Sequence, residues 1–529
     1  MTSPPGRASV ASWSAVTAPA GYAEFLARRR ACGSQRWSRG TQFALFALVA
    51  VLTRLVVMGV SVVDSDEASY VVGATDLLRG GSLYVSYADH KPPLVYLYYA
   101  AWLALEPSIA MVRLATAAVW LPLTALGVSA FLGYGRRGLV AGLLWLYYGA
   151  AFLAHDMLAV NCEVLMMLPV TWALVVARGP TARPGSPSRL GVAGLLVGVA
   201  VLFKYQAIAI VPALAIDAWV NRGRAATTGV AALAAGALLP LVLTWAAFEG
   251  LGNADAFLYW NIEHNLTYLQ HSAAWTVAVG RALRYALPFL LVVSPLAWAW
   301  WRERHAANRQ VVLIALAACA LLQAGAGWRF YPHYFIPLYL PLAIGAAPWV
   351  ASATDPLSVQ GRRFVAGTAL LLTAFTVANA VLYWPGVTVY AERRMVYEHV
   401  AEKIRGDSCA AGGSLFVWGF APEFYLTTGL RPATRFVYVD NTLVGHVSAG
   451  AAMSDDTSLV RAEHWGLLMH DLNASRPAYV LDASGANLFR WRVSPDRFPV
   501  FSVWLTREYR QIDVVDGVRI FRRRACVAG

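Results

Sequence analysis

Charge is what this sequence has least of. Only 14% of its 529 residues are Asp, Glu, Lys or Arg, while 58% are hydrophobic and the mean hydropathy is +0.50. An average soluble protein carries about 25% charged residues, so a soluble chain is excluded and a polytopic membrane protein is implied. Lysine is almost missing: Lys91, Lys204 and Lys403 are the only lysines among 43 basic residues. Cysteine is scarce as well. The five present show no CxxC and no Cys/His spacing, which leaves no zinc or redox motif. His264 and His271 stand seven apart but read as a solvated loop. No cofactor is therefore called for, and a divalent metal is open without being indicated.

The net charge of +13 raises the question of nucleic acid. Its distribution answers with topology instead. Apolar segments near 42–63, 112–134, 138–154, 160–177, 190–203, 206–220, 226–247, 283–301, 310–326, 334–350 and 364–384 predict eleven transmembrane helices. With the N-terminus inside, the inner segments hold 18 basic residues against three acids, and the outer loops before Pro385 hold seven against eleven. That asymmetry obeys the positive-inside rule at every turn. Residues 1–41 are then a basic cytoplasmic tail, followed by an uncleaved signal anchor. Residues 42–384 form the membrane domain, and 385–529 a soluble α/β domain outside the cell membrane. No partner among nucleic acids is expected.

The stretch "PPLVYLYYAAWLAL" resembles a span but has only about 14 apolar residues, a length more often interfacial. Counting it as a span would invert every later loop. Residues 64–111 are therefore expected as one external loop with interfacial helices, Pro92 and Pro93 suiting the first turn of one of them. In the tail, "SLFVWG", "TRFVYVD" and "AYVLDAS" are predicted strands, "APEFYLTTG" and residues 457–474 helices, and the last segment a hairpin around Asp516-Gly517.

Under this topology the unusual polar residues collect at the outer ends of helices: Asp64, Asp66, Glu67, Asp89, His90, Lys91, His155, Asp156, Asn161, Glu163, Lys204, Arg329, His333 and Tyr334. A transporter places ionisable groups nearer the midplane; here Arg54 and Asp217 are the main charges drawn into spans. Carboxylates beside cations at the lipid-headgroup level suit sugar transfer. A carboxylate takes the proton of an acceptor hydroxyl, and cations hold the departing phosphate.

"DEASY" followed by "DHKPPLVYLYY" resembles the first external loop of GT-C glycosyltransferases that use polyprenyl-phosphate sugars. "AHDMLAVNCEVLMMLP", "RFYPHYFIPLYLPLAI" and "FVWGFAPEFYLTTGLRPATRFVY" are similar to the bacterial protein-mannosyltransferase-like and aminoarabinose-transferase-like branch. The resemblance spans most of 42–529. It implies a GT-C membrane bundle and an inverting transferase. The donor is a polyprenyl-phosphate-linked sugar, and the acceptor a glycan, glycolipid or protein among membrane lipids. It implies Asp66 as base with Glu67 beside it, Lys91 on the lipid phosphate, and Asp156 as a further catalytic acid. Lys204, Arg329, His333 and Tyr334 join the phosphate site, although Phe203-Lys204-Tyr205 departs from the family's Thr-Lys-Gly. Asp64, His90, His155, Asn161 and Glu163 are further candidates. Rival readings are a lipid or solute transporter and a non-catalytic binder of lipid-linked glycans.

Cys409 precedes the predicted strand "SLFVWG", and Cys526 follows the last one. If those strands are neighbours, the cysteines come within the roughly 4.4–6.8 Å between Cα atoms that a disulfide requires.

Overall fold

The structure is a computed structural model that describes residues 37–151, 158–180, 186–270, 275–303, 310–353, 359–382, 389–444, 462–486, 488 and 493–526. It is mostly helical with one small sheet. Helices coincide with all eleven apolar segments, from Arg39–Met58 to Val359–Leu382. Among the described residues, five helical stretches are long and apolar enough to cross a membrane: Arg39–Met58, Ile109–Phe131, Tyr205–Gly250, Trp275–Arg302 and Pro332–Ser352. Pro187–Val201 and Gln310–Gly325 are shorter apolar helices. Large side chains such as Leu55, Leu243, Leu291 and Leu322 stand exposed along these helices, as expected of surfaces solvated by lipid rather than water.

The first span, α1 (Arg39–Met58), begins at Ser38, whose hydroxyl accepts from the Thr41 amide at 3.0 Å. The next helix, α2 (Ser65–Leu78), is set by Asp64. Its carboxylate caps the helix by accepting from the Asp66 amide at 2.9 Å, and Asp66 and Glu67 lie in the first turn, where the helix dipole favours acids. Gly73 on α2 is required by packing: a Cβ there would stand 2.8 Å from the rings of both Tyr87 and Tyr96. Helix α3 (Pro93–Leu103) starts with Pro93 at its first position, as the sequence predicts. The Leu94 amide donates to Leu202 O at 3.1 Å. This bond draws the Lys91-Pro92-Pro93 segment against the chain just before Lys204. Helices α4 (Cys162–Arg178) and α5 (Ile336–Ala353) supply the other walls of the site.

After the last long helix the chain builds a five-stranded sheet in the order β2-β1-β3-β5-β4. Its strands are β1 (Ser414–Trp418), β2 (Arg431–Pro432), β3 (Tyr479–Asp482), β4 (Tyr509–Val515) and β5 (Val518–Arg523). β1 pairs parallel with β2 and β3, and β5 runs antiparallel to β3 and β4. The hairpin turns at Asp516 and Gly517, both at positive φ, as Asp-Gly predicts. Helix α6 (Glu423–Thr428) ends on left-handed Gly429, and α7 (Glu463–Ser475) covers the last part of the predicted 457–474 helix, 457–461 lying outside the described residues.

One predicted strand is corrected. "TRFVYVD" is no ladder strand; the short β2 precedes it, and Asp440 makes one isolated bridge with Val444. Its backbone groups go elsewhere: Arg435 O accepts from the Ala88 amide at 2.9 Å, and the Val439 amide donates to Gly419 O at 3.0 Å. Two helices of the region after 385 went unread in the sequence, Val389–Arg405 and Pro499–Glu508.

Cys409 and Cys526 are disulfide-bonded, their Cα atoms 6.1 Å apart. The condition on which the pairing was expected fails in detail. β1 and β5 are not neighbours but flank β3. The bridge forms because Cys409 sits in a turn ahead of β1 and Cys526 lies just past β5, so both reach the same end of the sheet.

Candidate active site

Asp66 lies in the first turn of α2, and Lys91 two residues ahead of α3. Lys91 Nζ is 2.8 Å from Asp66 Oδ2, with 26% of the Asp66 side chain exposed. Burial pushes the Asp66 carboxyl up, but the Lys91 charge outweighs it and holds the group well below the usual carboxylate range. Burial likewise pushes Lys91 down, and the Asp66 charge drives it well above its ordinary value. The pair is an ion pair at any physiological pH. Lys91 also faces the Tyr70 ring, 6.0 Å from its centroid. Tyr70 is four residues after Asp66, on the same side of α2.

Tyr70 links this pair to a second one. Its hydroxyl accepts from the Cys162 thiol at 3.1 Å, and Cys162 opens α4. The next residue, Glu163, holds Lys204 Nζ at 2.8 Å and lies 3.8 Å from His333 Nε2. Lys204 stands 5.1 Å from the centroid of the Tyr334 ring. His333 and Lys204 both act electrostatically on Asp66, so two acid–lysine pairs and a histidine share one region. Arg329 is buried, with Tyr334, Tyr331 and Asp440 in electrostatic range. The backbone about it is strained: Trp328 and Phe330 both take positive φ, at 56° and 48°. Bulky residues rarely adopt that region, and such strain gathers at functional positions.

The remaining candidates fall into different places. Asp64 is the α2 cap. Glu67 is 0% exposed and gripped by Arg113, whose Nε donates to Oε1 at 3.0 Å and Nη2 to Oε2 at 2.5 Å. It also accepts from the Val160 amide at 3.1 Å. His90 leans on Asp89, its Nδ1 3.2 Å from Oδ1, and burial pushes its ring below the ordinary histidine value. Asn161 is buried at the start of α4. His155 and Asp156 lie outside the described residues.

His264 is corrected: it is not in a solvated loop. It is buried, its ring 5.7 Å from that of His90 and 4.9 Å from that of Trp260; His271 lies outside the described residues. Among the described residues no three His, Cys, Asp or Glu side chains form a metal-ligand group.

Several residues of this region went unread. Asp89 was noted only for its charge, yet it is buried and accepts from the hydroxyls of Tyr96 at 2.6 Å and Tyr438 at 2.8 Å. Glu423, at the start of α6, accepts from the Ser65 hydroxyl at 2.5 Å. Both contacts join the sheet region to the Asp66 loop. Tyr70 carried a readable signal, its four-residue spacing from Asp66; the Tyr438 partner of Asp89 and the Ser65 partner of Glu423 lie 349 and 358 positions away.

No protein-family model matches the chain, and no curated protein does. Solved structures do. ArnT from Cupriavidus metallidurans bound to undecaprenyl phosphate superposes with a TM-score of 0.58 at 15% identity, over 92% of this chain and 98% of that one. The apo state of the same protein gives 0.59 at 15% identity, over 93% and 100%. The oligosaccharyltransferase of Archaeoglobus fulgidus in complex with zinc and sulfate is less similar, at 0.48 and 11% identity, over 91% and 73%. The chain thus has the fold of ArnT over almost its whole length.

Proposed function

We propose that the protein is an inverting glycosyltransferase that moves a sugar from a polyprenyl-phosphate carrier to an acceptor hydroxyl at the outer face of the cell membrane. The observation that carries this reading is the Lys91–Asp66 pair at 2.8 Å, set beside Lys204–Glu163. Here a base and a phosphate-binding cation start in contact. While Lys91 neutralises it, Asp66 is a weak base. A donor phosphate competes for Lys91, and a lysine drawn toward the phosphate leaves Asp66 more basic where the acceptor arrives.

The acceptor oxygen then attacks the anomeric carbon from the side opposite the phosphate. Its proton passes to Asp66. The bond from carbon to phosphate oxygen breaks, and its electrons leave on polyprenyl phosphate. Lys91, Lys204, Arg329 and His333 offset the charge that gathers there, with Tyr334 holding Lys204. The departing phosphate is a good leaving group, so no general acid is needed. We assign Glu67 to positioning: through Arg113 it ties α2 to Val57 O and Val60 O at the end of α1. Asp156 remains a proposed second acid. Residues 42–384 are the proposed transferase domain with eleven spans, and 385–529 a domain outside the membrane that meets the acceptor.

Purified protein incubated with a panel of radiolabelled polyprenyl-phosphate sugars should release the label from one of them; a panel left intact with acceptor lipids, glycans and proteins all present speaks against transfer. The orientation has its own test. A cysteine placed at Ser86 should react with an impermeant thiol reagent in intact cells and one at Ser188 should not. Reaction at position 188 overturns the eleven-span arrangement.

A further inference from the structure

The region after 385 reaches the candidate site through polar contacts at two separate places. The first is the turn that carries Asp66. Ser65 Oγ donates to Glu423 Oε1 at 2.5 Å, and Ser61 Oγ donates to Glu398 Oε1, also at 2.5 Å. The two serines stand on either side of Asp64, whose carboxylate caps α2. Their acceptors come from elements packed on each other. The ring of Tyr397, beside Glu398, meets that of Phe424, beside Glu423, with centroids 4.9 Å apart.

The second place is the segment that leads into Lys91. Arg435 O accepts from the Ala88 amide at 2.9 Å, and the Tyr438 hydroxyl donates to Asp89 Oδ1 at 2.8 Å. Asp89 Oδ1 also accepts from the His90 amide at 2.6 Å, which fixes the backbone just ahead of Lys91. Arg435 is itself held by Asp471 of α7, Nε to Oδ2 at 2.9 Å and Nη2 to Oδ1 at 3.0 Å. Both sets of contacts stand on the end of β1. Glu423 opens the helix that follows that strand. The Val439 amide, next to Tyr438, donates to Gly419 O at 3.0 Å, and the Tyr438 ring lies 5.3 Å from that of Phe420.

Glu423, Asp89 and Tyr438 are all buried. Burying a charged or polar group is costly, and well-packed apolar replacements often leave a protein as stable. What a satisfied buried polar network adds is one defined geometry. The Asp66–Lys91 pair needs it. The two side chains are in contact at 2.8 Å, yet Lys91 must turn from Asp66 to the donor phosphate. Side chains that part during a reaction keep their places only if each backbone is held independently of the contact between them.

We propose that the sheet region positions the two halves of the transfer site separately: Glu423, supported by Glu398, places the Asp66 carboxylate, and Tyr438, through Asp89, places Lys91. This rests on the transferase reading above. Glu423 and Tyr438 are positioning residues that act through the groups they hold.

The test uses full-length protein in detergent and two readouts. Amide hydrogen exchange of residues 61–70 and 86–92 needs no substrate. Single-turnover rate and donor affinity are measured with the polyprenyl-phosphate sugar that the native protein accepts. Glu423→Leu should speed exchange in 61–70 alone and lower the single-turnover rate by about 10²-fold, the scale of a misplaced reacting group, with donor affinity kept. Glu423→Gln retains an acceptor oxygen and should restore most of the rate. Ser65→Ala removes only a hydroxyl and tests the same contact from the other side, with the same rise in exchange. Tyr438→Phe should speed exchange in 86–92 and weaken donor binding about tenfold, as for a lost hydrogen bond to a charged group, with a smaller effect on rate. Native exchange in all of these variants overturns the proposal. So does a fall in rate and affinity by one common factor in Glu423→Leu and Tyr438→Phe, which is the mark of general support of the fold. A native protein that transfers no sugar refutes the transferase reading instead, and the exchange pattern then decides whether the two anchors exist.

Discussion

The hydroxyl of Ser65 lies 2.5 Å from Glu423 Oε1, across 358 positions of sequence. Ser65 is the residue before Asp66, and Glu423 opens α6 beside the sheet. The contact fixes the turn that carries the proposed base from a segment far along the chain. Glu423 is buried, and burial pushes its carboxyl from 4.5 up to about 7, against the hydrogen bonds of Ser65 and Tyr397 and with the nearby Asp66 charge adding to the rise.

A pH dependence of stability follows. The folded state holds the Glu423 proton more tightly than the unfolded chain does. Its contribution is therefore fully present below the unfolded value near 4.5 and is lost as pH rises toward and through about 7. The loss amounts to about 3 kcal/mol by the linkage relation. Thermal unfolding of Glu423→Gln, measured from pH 5 to 8 beside the native protein, should lack this fall, with the two curves parting as pH rises. Curves that stay parallel across that window contradict the assignment.

The Glu67–Arg113 pair should behave as a buried ion pair whose halves depend on each other. Arg113→Met alone leaves a buried carboxylate and is expected to cost about 3–5 kcal/mol. Adding Glu67→Gln should recover part of that. Additive losses in the double variant, read by unfolding in detergent, would show that the two side chains are not coupled.

Removal of the Cys409–Cys526 bridge should destabilise the sheet region. The cysteines are 117 positions apart, and the chain-entropy account gives about 4–5 kcal/mol for a loop of that size. Peptide mapping of non-reduced protein should recover the two cysteines linked. Two free thiols there contradict the structure.

The helical part was legible because hydrophobic length and arginine placement are local signals. Helices coincide with every apolar segment read from the sequence, and Pro93 starts α3 where a proline is tolerated. The sheet region was legible where turn chemistry is local, at Gly429 and at Asp516-Gly517. "TRFVYVD" misled because strand-like composition records burial, not pairing; Phe436, Val437, Tyr438 and Val439 are buried, Tyr438 donating to Asp89 of the Asp66 loop and Phe436 lying beside the His464 ring. Asp66, Lys91, Glu163, Lys204 and His333 stood out as charges beside apolar runs, and the structure brings them together. Arg113 and Glu423 did not, and Asp89 stood out only as a charge, since a buried partner contributed from another element leaves no mark in the local sequence.

Lys91 is shared in this account between Asp66 and the donor phosphate. Lys91→Ala and Arg329→Ala should each weaken donor binding, with the larger effect in the double variant. If donor affinity and turnover are both unchanged in the double variant, the cationic clamp is misassigned.

The central claim is that Asp66 takes the acceptor proton, and Asp66→Asn tests it most directly. Single-turnover transfer from the radiolabelled polyprenyl-phosphate sugar that the native protein accepts should fall by about 10²–10⁴, the usual effect of losing a general base, while donor binding is largely retained. Turnover close to native in this variant contradicts the account and moves the base to another acid of the loop.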